Sequence, residues 1–223
     1  MRACVFDAYG TLLDVGSAVA RQAEAVGPQA AELAALWRRK QLEYSWLRSL
    51  MRRRADFWQL TQDALDHSLE ALRLDPGRLR APLLDAYRSL DAYPEVVPML
   101  RRLVEQGVQA AVLSNGSPAM LAQSFAAAGL DDLVDPLISV EDAGIFKPAS
   151  EAYMLATRAL GLPAKGIAFF SSNAWDAHGA ASFGFRTFWV NRLGAAPERL
   201  PGSIVREMGD LSTVPELVGP VSR

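Results

Sequence analysis

Cysteine and histidine are scarce in this chain: Cys4 stands alone, and His67 and His178 are the two histidines among 223 residues. A single cysteine excludes an intrachain disulfide and a cysteine-rich zinc site. Its place beside Val5 and Phe6 suits a small buried hydrophobe. The histidines are isolated, and no His/Glu or His/Asp cluster supplies a metal site. No uninterrupted apolar stretch approaches the ~20 residues of a membrane helix. The N-terminus lacks the basic stretch, apolar run and cleavage site of a signal peptide, which makes the cytoplasm the default location. Neither sign of charge dominates: 23 basic residues face 25 acidic ones, for a net charge of −2. That balance argues against a general nucleic-acid binder, whose footprint would be basic. The one basic run, Arg52-Arg53-Arg54, reads as a solvated helix end. Internal repeats and low-complexity segments are also missing.

What is present is an ample core, since half the residues are hydrophobic. Four stretches read as short buried strands: Ala3–Phe6, Ala110–Leu113, Ile167–Phe170 and Thr187–Val190. Between the later ones lie helical patterns. Pro118 to Ala128 follows Ser117 as N-cap and stops at Gly129; Glu151 to Leu160 follows Ser150 and stops at Gly161. Strands alternating with helices predict a parallel sheet covered on both faces, an α/β fold. From Val15 to about Tyr93 the pattern is helical throughout. Pro28 opens a long helix with Leu33, Leu36, Trp37, Tyr44, Leu47, Leu50 and Met51 near one face. Asp56 and Gln59 have capping-box spacing before a second helix, and Pro82 is placed to start a third. The division is a core of residues 1–14 and 94–223 with an all-helical insertion at 15–93.

The stretch VFDAYGTLLD, residues 5–14, runs from strand-forming residues into an aspartate and then small, turn-prone ones. A carboxylate at the tip of a buried strand either satisfies local amides or performs chemistry. Two more strands end in polar groups, at Ser114-Asn115 and at Ser171-Ser172-Asn173, with Asp176 three residues beyond. Singly, each reads as a turn or a cap. Together they point to a shared site, because ligands of open parallel sheets bind beyond the carboxyl ends of the strands. The helical insertion directly after strand one is placed to cover that edge. Ser114 to Pro118 leads into a helix start, where free N–H groups favour an anion. Lys147 stands ahead of the helix near Glu151, where the dipole disfavours a cation by roughly 0.3–1 kcal/mol. A carboxylate such as Asp7 would offset that cost and would itself be kept ionised; the alternative is an exposed lysine.

These residues resemble the haloacid dehalogenase superfamily. The motifs Asp7-Ala8-Tyr9-Gly10-Thr11-Leu12, Leu113-Ser114-Asn115-Gly116, Lys147-Pro148 and Ser171-Ser172-Asn173-Ala174-Trp175-Asp176 come in its order and span most of the chain. Their forms are similar to the L-2-haloacid dehalogenases. Trp37-Arg38, Gln41-Leu42-Glu43-Tyr44 and Trp46-Leu47-Arg48 resemble that branch's cap. The resemblance implies a Rossmann-like core with a helical cap domain, a small 2-haloacid substrate, and halide and water as the other participants. It further implies no cofactor or metal, and a homodimer. A magnesium-dependent phosphatase of the same superfamily is the alternative. Phosphatases usually carry an aspartate two residues after the nucleophile, where Tyr9 stands with an ordinary pKa of about 10. They commonly carry a metal-binding acid where Asn173 stands.

By the same resemblance, Asp7 is the nucleophile, and Thr11 and Lys147 orient it. Ser171, Asn173 and Asp176 position Asp7 and the water, with Asp176 as the base; Tyr153 reaches the site from the helix after Lys147. The amides of Ala8, Tyr9 and Asn115 and the Ser114 hydroxyl hold the substrate carboxylate. Arg38 and Asn115 receive the halide, although the sequence does not distinguish Arg38 from its neighbours Arg39 and Lys40. Tyr9, Leu42, Phe57 and Trp175 form an apolar wall.

Overall fold

Branched and aromatic side chains at Ala3–Phe6 form β1, buried on both faces like the centre of a covered sheet. The computed structural model describes residues 3–219. β2 (Gln109–Ser114), β3 (Leu137–Ser139), β4 (Ile167–Ser171), β5 (Arg186–Val190) and β6 (Arg206–Met208) complete the sheet. Its order is β3-β2-β1-β4-β5-β6, and every pairing is parallel. The four strands anticipated from composition are all there, each within a residue of its expected ends. β3 and β6 were not anticipated, because three residues at a sheet edge carry no periodic signal.

The chain builds β2 and β3 on one side of β1, then crosses to build β4, β5 and β6 on the other. The switch therefore lies beside β1, where ligands of such sheets bind. A ladder of phenylalanines fixes the alignment of the strands there. Phe6 pairs in register with Phe170, and Phe170 with Phe188. Their rings stack at 5.1 and 4.8 Å between centroids. Because side chains alternate between faces along a strand, the next residues, Asp7 and Ser171, turn the other way at the strand ends. The Asp7 amide continues the ladder, donating to the Phe170 carbonyl at 2.9 Å.

Between β1 and β2 the chain is helical: α1 (Ala30–Met51), α2 (Phe57–Ala71) and α3 (Pro76–Tyr87) follow two four-residue helices. Two-residue strands, Leu13–Asp14 and Asp91–Ala92, pair antiparallel and clasp the entering and leaving chains together. α4 (Val96–Glu105), α5 (Pro118–Ala127), α6 (Ser150–Leu160) and α7 (Ala174–Phe183) connect the sheet strands.

Several local expectations need correction. Pro82 does not start a helix; it lies inside α3, which begins at Pro76 after Asp75 as N-cap. An interior proline costs about 3 kcal/mol, and burial of Leu79, Leu83, Leu84 and Tyr87 offsets it. The long helix starts at Ala30, after a short turn at Gly27–Gln29 that contains Pro28. Leu33, Leu36 and Trp37 on α1 are buried, but Leu47, Leu50 and Met51 are 45%, 81% and 66% exposed, so its apolar face is only half used. α6 begins at Ser150, one residue before its expected start. Ser117 and Asp56 cap α5 and α2 as anticipated, but Gln59 bonds Asp63 instead of reaching back.

Asp56 accepts from the Gln59 amide at 2.7 Å on an exposed helix end. Asp56→Ala is expected to cost about 1 kcal/mol of stability. Urea titration should show a lower midpoint with an unchanged slope.

Candidate active site

Asp7 ends β1 at the switch point, 6% exposed, and its two carboxylate oxygens have different surroundings. Oδ2 accepts from Asn173 Nδ2 at 2.7 Å, Thr11 Oγ1 at 3.0 Å and, more loosely, Ser171 Oγ at 3.5 Å. Oδ1 accepts from Lys147 Nζ at 3.1 Å. The donors come from three separate places in the chain. Thr11 is brought back toward Asp7 by the tight turn through Gly10, whose φ of 90° suits glycine. The Ser172 hydroxyl donates to the Gly10 carbonyl, and the Ser172 amide donates to Thr11 Oγ1. Asn173 and Ser171 come from the end of β4, and Lys147 from the loop before α6.

Lys147 is 1% exposed and shared, with its Nζ also 2.9 Å from Asp176 Oδ2. Burial alone would lower its pKa, but the carboxylates of Asp176 and Asp7 outweigh that and raise it. Asp176 is fully buried; burial first, opposed by the Lys147 charge, leaves its pKa raised. Its second oxygen accepts from the Tyr153 hydroxyl at 2.8 Å. Asp176 and Tyr153 thus sit behind Lys147 rather than on the open side of Asp7. That geometry suits a brace for the lysine, and Asp176 does not line the pocket described below.

Above Asp7 lies a narrow, partly open pocket. Its floor is Asp7, Asn173 and the Ser114-Asn115 turn, and its walls are Tyr9, Leu42, Phe57 and Trp175, with Arg38 entering from α1. Ala8 is buried beneath the turn that carries Tyr9. Arg38 is the member of its basic trio that faces inward: Nη2 donates to the Tyr9 carbonyl at 3.0 Å and to Asn173 Oδ1 at 3.3 Å. Arg39 is exposed, and Lys40 pairs with Glu43 on the helix surface. The Arg38 contact also settles which way the Asn173 amide faces. Its oxygen meets the guanidinium, so its N–H₂ meets Asp7.

The Ser114-Asn115-Gly116 turn is held by its own side chains. Ser114 Oγ accepts from the Gly116 amide at 3.1 Å, which leaves the hydroxyl proton free to donate elsewhere. Asn115 Oδ1 accepts from the Lys147 amide at 3.0 Å, which leaves its N–H₂ available. A Cβ at Gly116 would come 2.7 Å from the Tyr9 ring, so this position needs glycine to let that ring pack. Burial pushes the Tyr9 hydroxyl pKa upward, making it a still weaker acid. Rings from the insertion and the core meet around the pocket: Trp46 against Trp175 at 5.3 Å, Phe57 against Phe146 at 5.8 Å and Tyr9 against Tyr87 at 5.8 Å. The histidines lie elsewhere, His178 at the Pro201 and Gly202 carbonyls and His67 edge-on to Tyr44.

Gln41 and Ser172 hold site residues in place without having been singled out for a role. A glutamine on a helix and a serine in a turn give no composition signal; only their partners reveal the task.

Residues 1–184 match the model of the haloacid dehalogenase-like hydrolases. The chain is 46% identical to (S)-2-haloacid dehalogenase 4A of Burkholderia cepacia over 213 residues, 95% of this chain and 92% of that one. It superposes on a crystal structure of a dehalogenase with a TM-score of 0.96 and 44% identity, covering 100% of this chain and 98% of that one. The L-2-haloacid dehalogenase of Xanthobacter autotrophicus with chloropropionic acid covalently bound gives a TM-score of 0.91 at 36% identity, covering 98% of each chain.

The raised pKa of Lys147 contributes stability that is complete below its ordinary 10.5 and is lost as pH rises through the higher folded value. Lys147→Met should instead expose the repulsion between Asp7 and Asp176. Its deficit should be about 3–5 kcal/mol near neutral pH and smaller at acidic pH, once Asp176, whose pKa is already raised, has taken up a proton. Denaturant unfolding at both pH values checks this.

Proposed function

The chain belongs to the haloacid dehalogenase-like hydrolases, and we propose that it is an (S)-2-haloacid dehalogenase releasing halide from short 2-haloalkanoic acids. The observation that carries this reading is a carboxylate, Asp7, fixed by charged and neutral donors at the floor of a small, apolar-walled pocket. We read residues 1–14 and 94–223 as the core that holds the nucleophile, and 15–93 as a cap that supplies Arg38 and the walls.

Asp7 Oδ1, which has Lys147 as its partner, attacks carbon 2 from the side opposite the halogen. The new C–O bond forms as the carbon–halogen bond breaks, and the electron pair leaves with the halide. Positioning of this kind is worth on the order of 7–11 kcal/mol over free encounter. Ser114 and the backbone amides of Ala8, Tyr9 and Asn115 hold the substrate carboxylate. Arg38 and the Asn115 amide meet the charge growing on the halogen. Water then attacks the ester carbonyl carbon. Oδ2, now the carbonyl oxygen, gathers negative charge among donors already in place: Asn173, Thr11 and Ser171. Collapse expels the (R)-2-hydroxy acid, restores Asp7 and releases one proton. Asp176 and Tyr153 take part by holding Lys147.

The donor set also supports metal-independent turnover. The Asn173 amide presents hydrogens, not a lone pair, to Asp7 at 2.7 Å. Tyr9, with its raised pKa, is a poor proton donor for a phosphate leaving group. A cytoplasmic location and a homodimer belong to the same reading. The exposed Leu47, Leu50 and Met51, spaced along one side of α1, support a second copy seated there.

Halide release from (S)-2-chloropropionate should persist in excess chelator, with none from the R enantiomer. Asp7→Asn should cost on the order of 10⁴ or more in kcat, as loss of a nucleophile does. A single turnover in ¹⁸O water with excess protein should place the label in Asp7; an unlabelled Asp7 would reject the ester. Sedimentation should give twice the 24.2 kDa chain mass, and Leu50→Arg should reduce it to one.

A further inference from the structure

We propose that Gln41 is the positioning residue that holds the Arg38 guanidinium against the pocket, so that Arg38 can receive the departing halide. This rests on the dehalogenase reading. Gln41 lies one turn beyond Arg38 on α1 and is 1% exposed. Its Oε1 accepts from Arg38 Nη1 at 2.8 Å, while Nη2 of the same guanidinium reaches into the core to Tyr9 and Asn173. Arg38 is therefore gripped from both sides, and Gln41 is the grip on the cap side.

The direction of the Gln41 amide is set by its other neighbours. Thr61 Oγ1 donates its one proton to the Phe57 carbonyl at 2.7 Å, so toward Gln41 it can only accept. The N–H₂ of Gln41 must face it, and does so at 2.7 Å, with the Tyr87 hydroxyl 2.9 Å from the same nitrogen. The Tyr87 hydroxyl donates in turn to Oε1 at 3.2 Å. With its nitrogen committed to Thr61, Gln41 has its oxygen left to face Arg38. Thr61 and Tyr87 come from α2 and α3, so all three long helices of the insertion converge on this amide.

A fixed guanidinium matters because room exists for it to turn away. A second cavity lies behind the pair, with Arg38 and Gln41 on its border and Val15, Val19, Ala34 and Trp37 among its walls. None of those four side chains offers an acceptor. Without the Gln41 oxygen, the Tyr87 hydroxyl on the same border is the cap-side acceptor left to the guanidinium, a weaker hold, and Arg38 swings between this cavity and the pocket. Misplacement of a catalytic group by about 1 Å can cost on the order of 10²-fold in rate.

The test compares Gln41→Leu, Arg38→Ala and the double variant, measured as halide release and as bromide binding by titration calorimetry with sodium bromide. Gln41→Leu should lower kcat by about ten- to a hundredfold, with a larger loss for chloro- than for bromo-propionate, and should weaken bromide binding. In the Arg38→Ala background it should cause no further loss, because it acts through the missing group. Equal losses in both backgrounds, or unchanged kcat and bromide affinity in Gln41→Leu, would overturn the proposal and leave Gln41 as packing. If the unsubstituted protein released no halide, the dehalogenase reading would fall. The bromide titration would still decide whether Gln41 sets the anion affinity of Arg38.

Discussion

One ammonium group, Lys147 Nζ, shared between Asp7 and Asp176 in the interior, is the interaction on which the site depends. Two carboxylates this close cannot both stay ionised in a dry interior without a cation between them. The lysine is itself placed unfavourably, ahead of the α6 N-terminus, so each member of the trio is justified only by the others. The stem runs past Phe169, leaving the charge 5.0 Å from the ring centre. Asn115 fixes the lysine's backbone and Tyr153 fixes Asp176. The nucleophile at the end of β1 is thus held by the loop after β2, the loop before α6, α6 itself and the start of α7. This explains why motifs scattered over most of the chain must all be present for one carboxylate to be useful.

The proposed chemistry moves a charge across the pocket rather than creating one. Before attack the negative charge sits on Asp7, beside Lys147; after attack it sits on the halide, beside Arg38. One cation comes from the core and the other from the insertion. The catalytic field is therefore complete only when the helical block is seated over the strand ends. The rings that meet around the pocket surround it with apolar surface, and a lower dielectric strengthens both ends of the transfer. Sequestration and catalysis are two results of the same contacts.

Strand-end logic made much of this legible beforehand. Asp7, Ser114, Asn115, Ser171 and Asn173 were placed on one edge by where short runs of branched and aromatic residues stop, and they meet there. The long helices were legible as a block, but their details were not. Pro82 carries a local start signal that tertiary burial overrides, and Leu47, Leu50 and Met51 continue a periodicity that packing among the described residues leaves exposed. Asp176 shows the limit most clearly. Sequence order puts it next to site residues, whereas helical geometry turns it beneath Lys147. Gln41 was invisible as a site residue because its task is defined by Thr61 and Tyr87, 20 and 46 positions away.

Charge capacity separates this pocket from a phosphate site on the same fold. Asp7 and Asp176 are matched by Lys147 and Arg38, so a 2-haloacid adds one uncompensated negative charge, which neutral N–H and O–H donors can hold. A phosphate monoester adds about −1.5 to −2 at neutral pH. Where a divalent ion would absorb that excess, the Asn173 amide occupies the approach to Asp7 with hydrogens directed at Oδ2. An amide donor neutralises no net charge. It is strong enough to stabilise an ester carbonyl as it becomes an oxyanion, and too weak to gather a dianion against a carboxylate. In the proposed reaction, the same amide that turns hydrogens rather than a lone pair toward Asp7 supplies the donor that hydrolysis of an aspartyl ester requires.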